Sequence, residues 1–367
     1  MITRKQFMAA SAASVAAPLA LQACVPANAP DRYEAAVKKI WRPVSSTLSG
    51  NLALERELVR SATLAPSGHN TQCWKFHIDQ NSILILPDFS RRTPVVDPDD
   101  HHLFVSLGCA LENLAQASLA HGLKSLAQFD TEKNTLTVTL TQTQAVASPL
   151  YQAIPQRQCT RGRYDGMPLS APELKALELA GSGNGVSVLL FTARPAIENI
   201  LQLVIDGNTA QLADAAFVKE LKQWIRFSGS EAVETGDGLY SASSGSPSVP
   251  RWLGSPMFDM LFSAKSENDK YARQTRSSSG IAVFVSDVND KTHWIEAGRC
   301  YERFALQATA LGIRNAMLNQ TVEVPLQRQK LAGFLGLKGG RPDLVVRFGR
   351  GKTMPQSLRR RFEDVLS

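Results

Sequence analysis

Apolar residues fall at helical spacing in some stretches of the chain and at strand spacing in others, and the changes from one period to the other mark its elements. Leu54, Leu58, Ala62 and Ala65 advance in steps of three and four, which predicts a helix. Pro66 stops it, because proline has no backbone N–H and disfavours helix in the residue before it. A Pro-Ser-Gly turn follows, after which Trp74, Phe76 and Ile78 alternate with polar neighbours as a strand with one buried face. A helix is expected over 104–121. Another is expected where Trp294, Ala297, Tyr301, Phe304, Ala308 and Leu311 repeat the same steps. Ser170-Ala171-Pro172-Glu173 is a capping box that opens a further helix.

The pattern repeats along the chain. Ala65-Pro66-Ser67-Gly68-His69-Asn70 is echoed by Ala180-Gly181-Ser182-Gly183-Asn184-Gly185, and Phe76 and Phe191 follow at the same distance. The segment Gly108–Gly122 likewise corresponds to Gly298–Gly312, with Glu112 matching Glu302, Leu114 matching Phe304, Ala120 matching Ala310 and Leu123 matching Ile313. Glycine closes both helices, as a C-terminal cap requires. The second copy carries an insertion at about 194–279 that includes the Gly-, Ser- and Pro-rich stretch 229–256. A long segment of that composition reads as a lid. Trp224, Trp252, Phe258 and Phe262 imply that part of it packs.

The N-terminus has a different character. Arg4-Lys5 precedes an uncharged, Ala-rich run, Met8 to Leu21, that is too short to span a bilayer. Thr3–Met8 resembles a twin-arginine translocation motif, and Leu21-Gln22-Ala23-Cys24 resembles a lipobox with Cys24 as the lipidated residue. Residues 1–24 are therefore expected to be an export signal and 25–50 a tether. The protein would then be exported and either periplasmic or held as a membrane-anchored lipoprotein, touching the membrane through its lipid alone. Cys73, Cys109, Cys159 and Cys300 lack metal-ligand or dithiol spacing, so no metal is expected. Of the net charge of +7, Arg4 and Lys5 account for two, and Arg341, Arg347, Arg350, Lys352, Arg359, Arg360 and Arg361 cluster near the C-terminus. No nucleic-acid motif accompanies them, so phosphate binding or contact with an anionic membrane surface is the better reading.

The segment Ala65-Pro66-Ser67-Gly68-His69-Asn70-Thr71-Gln72-Cys73-Trp74-Lys75-Phe76 resembles the signature of the FMN-dependent nitroreductase family, with Cys73 in place of the usual proline. Family members are α+β homodimers with the flavin at the subunit interface. This chain is similar to the Acg-type branch, in which two nitroreductase-like halves are fused. The halves would be 51–150 and 151–367, a tandem duplication that mimics the family homodimer. The resemblance implies flavin contacts from Pro66, Ser67, Asn70 and Gln72 in the first half. Arg157-Gln158-Cys159-Thr160-Arg161 matches the family's phosphate and ribityl segment, with Arg157, Cys159 and Arg161 in the binding positions. Met317, Leu318, Asn319 and Gln320 would form the loop beside the flavin face, and Arg359 and Arg360 would reach the phosphate. The second copy has Gly185 and Ser187 where the first has Asn70 and Gln72, and the first copy lacks the Arg157 segment. These complementary losses imply one composite FMN site in a monomeric pseudo-dimer.

The resulting expectation is an exported FMN-dependent oxidoreductase acting on an electron-poor aromatic or quinone-like small molecule. A membrane quinol or a redox protein would serve as electron donor, and no acid–base residue is singled out. A flavin-storing protein without turnover and a structural lipoprotein are the alternatives. Asp97-Pro98-Asp99-Asp100-His101-His102 reads as the start of a helix, with Asp99 or Asp100 as its cap, in preference to a metal cluster. His69 is expected to face solvent.

Overall fold

The computed structural model describes residues 29–43 and 51–367; the export-like segment, Cys24 and parts of the expected tether lie outside them. The fold is α+β, built from two four-stranded antiparallel sheets with a pair of long helices between them.

Helix α1 (Ala29–Ile40) precedes α2 (Asn51–Thr63). Strands β1 (Trp74–Asp79) and β2 (Ser82–Pro87) form a hairpin closed by Gln80 and Asn81. Helix α3 (His101–Ala120) then leads into a second hairpin, β3 (Leu123–Asp130) and β4 (Thr135–Gln142). The sheet order is β1-β2-β4-β3. Helix α4 (Ala171–Ala180), opened by the Ser170–Glu173 capping box, leads into β5 (Val186–Phe191).

Between β5 and its sheet partner lies a helical insertion comprising α5 (Arg194–Ala213), α6 (Ala215–Trp224), the short helix Gly229–Thr235, α7 (Arg251–Leu261) and α8 (Ala264–Arg276). Strand β6 (Gly280–Ser286), helix α9 (Lys291–Ala310), strand β7 (Arg314–Met317), helix α10 (Pro325–Phe334) and strand β8 (Arg341–Gly349) complete the second unit, whose sheet order is β5-β6-β8-β7. Strand for strand, both sheets have the same connectivity.

Helices α3 and α9 cross at their glycines. A Cβ on Gly108 would lie 1.9 Å from the Ile295 carbonyl oxygen, and one on Gly298 would lie 2.0 Å from that of Val105. The clashes are reciprocal, because each α3 residue has its counterpart 190 positions on, from His101 and Lys291 to Ala120 and Ala310. Only glycine allows the two backbones to touch there. Around the crossing, Trp74, Phe76 and Ile85 of the first sheet and Phe284, Leu344 and Val346 of the second close one core. Helix α3 has the length and mean hydropathy (1.3) of a membrane span, but most of it is packed inside this core.

Two expectations need correction. Phe76 and Phe191 lie on opposite faces of their sheets: Phe76 points into the central core, while Phe191 packs on Phe334 of α10. Ten residues (64–73) join helix to strand in the first copy and five (181–185) in the second, so a constant offset fails at the strand. Helix α3 begins at His101 with Asp100 at the N-cap position, as expected, but the side chain that accepts its first N–H groups is that of Asp97. The Asp97 carboxylate accepts the N–H groups of His102 and Leu103, both at 3.0 Å. Asp99 pairs with Arg341 and Asp100 with Arg92.

After β8 the chain runs back over the first unit. Lys75 Nζ donates to the Asp364 carbonyl, Ser367 N–H to that of Phe76 and Trp41 Nε1 to that of Ser357, each at 2.9 Å. The C-terminal strap therefore ties both units and α1 together.

Candidate functional site

The first turn is strained. His69 (φ 48°), Asn70 (φ 55°) and Gln72 (φ 52°) all lie in the left-handed region without being glycine. Such residues persist only where the surroundings fix them, and they concentrate at functional sites. Here Ser67 Oγ accepts the Gln72 N–H at 2.9 Å. Asn70 Nδ2 donates to the carbonyls of Gly238 (3.0 Å) and Leu358 (3.2 Å), and Gln72 Nε2 donates to that of Gly236 (2.9 Å). Gln72 Oε1 accepts the Arg360 N–H at 2.8 Å. Both amides thus hold the insertion and the strap against the turn. Asp237, between the two glycines, is paired with Arg91 and Arg226, which closes the latch.

The Arg157–Arg161 segment reaches the same place from the second unit. Cys159 bridges to Asn315 at the start of β7, and Thr160 N–H donates to the Asn315 carbonyl at 2.8 Å. This sets Cys159 and Arg161 beside Met317. Arg157 is buried and paired with Glu302 of α9 (Nε–Oε1 3.1 Å), and it donates to the Leu64 carbonyl at 3.0 Å. Burial raises Glu302 to about 7, with Arg157 opposing the rise.

Turn, segment and insertion enclose a cavity of about 250 Å³. Pro66, Ser67 and His69 form one side, Val105, Ser106 and Cys109 of α3 the floor, and Cys159, Arg161, Met317, Asn319 and Gln320 the opposite side. Asn208, Gln211, Leu221 and Tyr271 of the insertion roof it. A smaller cavity of about 60 Å³, lined also by Arg157 and Arg359, adjoins it at Pro66, Ser67, Cys159 and Arg161. Arg161 lines both cavities, and among the described residues its guanidinium has no ion-pair partner. Among the described residues, no donor reaches the buried Gln320 Oε1. The combination of an unpaired cation, a free amide acceptor and apolar walls suits a flat, anionic, N–H-bearing ligand.

His102 adds a titratable group to the wall. Asn319 Oδ1 accepts the Val345 N–H at 3.0 Å, which turns Asn319 Nδ2 toward His102 Nε2 at 3.2 Å. Nδ1 of His102 then carries the proton and faces Asp97 Oδ1 at 3.4 Å. Burial opposes charge on His102, but Asp97 and Glu323 outweigh it and raise its pKa. Burial, then Arg161 and His102, push the half-buried His69 down to about 4, so it is neutral at pH 7 and belongs to the cavity rim. Asp97, His101 and His102 each bring a ligand atom within 4.8 Å of the others. The carboxylate of Asp97 already caps α3, however, and His101 Nε2 is engaged by Asp343 at 2.8 Å.

Of the residues singled out by sequence, Pro66, Ser67, Cys159, Arg161, Met317, Asn319 and Gln320 line the main cavity, and Asn70, Arg157 and Arg359 line only its small neighbour. Leu318 packs into the core on the outer face of the second sheet. Gln72 is fully buried, and Arg360 donates to the Gln72 carbonyl at 3.1 Å and lies 3.6 Å from Asp88. Arg359 caps the end of α2: its guanidinium donates to the carbonyls of Thr63, Leu64 and Ala65 and to Asn70 Oδ1. Burial brings its pKa down to about 9. Sequence reading missed His102, Tyr271 and the polar roof. His102 was legible only as part of a helix start, and the roof lies in the insertion, where no motif marks it.

The corresponding corner of the second copy is filled. Where α3 presents Ser106 and Cys109, α9 presents Glu296 and Arg299, which pair at 3.2 Å. Arg303 pairs with Glu296 at 3.3 Å and with Glu112 at 3.0 Å. A Cβ on Gly183 of the short turn would lie 2.4 Å from Glu296 Oε1.

No family model matches the chain. It is similar to two proteins of Mycobacterium tuberculosis. It is 24% identical to "Putative NAD(P)H nitroreductase Rv3131" over 329 residues, covering 85% of this chain and 90% of that protein. It is 21% identical to "Putative NAD(P)H nitroreductase acg" over 337 residues, covering 84% and 94%. Among solved structures, a nitroreductase with bound FMN from Desulfitobacterium hafniense is 17% identical, covering 60% of this chain and 98% of that one with a TM-score of 0.37.

Proposed function

We propose that the chain is an FMN-dependent oxidoreductase of the nitroreductase type, a pseudo-dimer in one polypeptide that binds one flavin and works as a monomer. The observation that carries this reading is the cavity shared by both units, with Arg161 unpaired and Gln320 Oε1 without a donor. The names of the mycobacterial relatives, which match over most of their length, support it. The acceptor is an electron-poor aromatic or quinone-like small molecule.

The residues fit the cofactor by chemistry. Arg161, Arg157 and Ser67 surround the small cavity, where a phosphate would be held by charge-assisted hydrogen bonds. Pro66 and Met317 offer apolar contact to a flat ring, and Gln320 offers an acceptor at its edge. When bound, FMN supplies the hydride chemistry, and the protein contributes position and exclusion of water. Residues of α5, α6 and α8 cover part of the cavity, while His102 holds a proton at Nδ1 against Asp97 on the cavity wall. On the same reading, the N-terminal segment exports the fold and anchors it through Cys24, and a membrane quinol or a redox protein supplies electrons.

Purification of the full chain followed by mass spectrometry of the released cofactor tests this directly. FMN with a flavin absorption band is expected. Its absence after reconstitution with FMN contradicts the proposal. Photoreduction followed by acceptor-dependent reoxidation separates turnover from flavin storage.

A further inference from the structure

A second cavity, of about 320 Å³, is lined mostly by residues of the insertion, with Arg161, Ala316, Met317 and Arg347 at its inner end. The two share Arg161, Leu221, Leu239, Phe262, Glu267, Tyr271 and Met317 as a common wall of side chains. Their characters differ. The first carries His102, Asp97, Gln211 and Glu323, whereas on its α7 side the second is walled by Phe227, Val249, Met257, Phe258 and Leu261, with Ser241, Ser244, Ser246 and Gln274 elsewhere on its lining.

Helix α7 forms the outer wall of the second cavity. It turns Met257 and Phe258 inward, while Trp252 and Met260 are exposed on its other side. Gly254 lets it approach Phe227, since a Cβ there would lie 2.6 Å from that ring. Pro256 sits within α7 and cannot donate to its hydrogen-bond ladder. Packing has left this space open although large apolar residues surround it. A volume of roughly 300 Å³ or more lies in the range of small-ligand sites.

We propose that this cavity receives the apolar tail of the substrate. The acceptor is then a quinone-type ring carrying a long alkyl or isoprenoid chain, its ring in the polar cavity beside Met317 and its chain passing Phe262 and Tyr271 into the space beneath α7. This rests on the reading of the first cavity as the redox site, and it names the class of acceptor. The charged residues lining the tail cavity are Glu267 and Lys270, which pair with each other at 3.5 Å, and at its inner end Arg161 and Arg347, the latter donating to the carbonyls of Thr160 and Gly162. The polar end of the ligand is therefore directed inward, toward Arg161.

The probes are a decyl-substituted benzoquinone and the same ring without the chain. Their binding to the full-length protein is read by quenching of tryptophan fluorescence, with and without bound FMN. The decyl compound is expected to bind at least about tenfold more tightly, since each buried methylene contributes to transfer from water. Met257→Glu and, separately, Leu261→Glu place a charge in the tail cavity and are expected to abolish that advantage while the flavin content stays unchanged. Leu261 is more than half exposed, so its variant tolerates the charge in the fold. Equal affinities for the two quinones, or an advantage that survives both variants, overturns the proposal. A protein that binds the decyl compound preferentially but never binds FMN fails the flavin reading and retains the tail site.

Discussion

The two helix–turn–strand corners of this molecule share an architecture and differ in what fills them. In the first, ten residues with three left-handed non-glycine positions border a cavity whose floor is Ser106 and Cys109. In the second, five residues rich in glycine rest on Glu296, Arg299 and Arg303, which occupy the corresponding space with ion pairs. Two small residues exchanged for a Glu and an Arg decide that one corner is hollow and the other solid. The side chains of α3 and α9 leave the first corner open and fill the second.

The comparison can be broken by making the first corner like the second. The double variant Ser106→Glu, Cys109→Arg places on α3 the i,i+3 pair that α9 already tolerates. It is expected to remove FMN binding altogether, more than about a hundredfold in affinity, because bulky ionic side chains close the floor. Flavin absorbance after reconstitution measures this, and the far-ultraviolet circular dichroism should be retained. Full flavin content in that variant would show that the cavity is not the site.

Next in size is Arg157→Ala. It leaves the buried Glu302 without its cation, and breaking a buried pair costs about 3–5 kcal/mol. The loss here is expected near the lower end, because burial already raises Glu302 to about 7 and the carboxyl can protonate. Denaturant unfolding reads the stability, and the same variant should lose flavin about 30-fold or more through the emptied phosphate end.

Much of this organisation was legible in sequence. The helix spacing, the capping box, the turn and the α3/α9 correspondence all rest on local periodicity or local turn chemistry, and the structure reproduces them. What escaped depends on tertiary context. Asn70, Gln72 and Arg359 are residue types that suit a flavin, yet their side chains bond backbone groups of the 236–238 loop, the strap and the end of α2. No sequence pattern distinguishes an amide that meets a ligand from one that meets a distant carbonyl. Likewise, Phe76 and Phe191 matched by count and parted by face, since strand parity depends on turn length.

A smaller effect concerns pH. Glu302 has a folded-state pKa near 7, above its ordinary value of 4.5, so it takes up a proton on folding. Its contribution to stability is fully present below about 4.5 and is lost as pH rises through about 7. Asp343, also raised to about 7 by burial, acts in the same direction. Glu302→Gln should flatten part of the decline in unfolding free energy across that window, and an unchanged slope would remove Glu302 from the account. Smallest of all, Cys159→Ser should leave flavin content and melting temperature nearly unchanged, since the hydroxyl is smaller than the thiol and Cys159 is held by its backbone bridge to Asn315.

One hollow and one filled corner imply one flavin per chain. Native mass spectrometry of the reconstituted full-length protein tests it most directly. A single 40.0 kDa polypeptide carrying one FMN is expected. Two FMN on one chain, or FMN retained only by a dimer of chains, would contradict it.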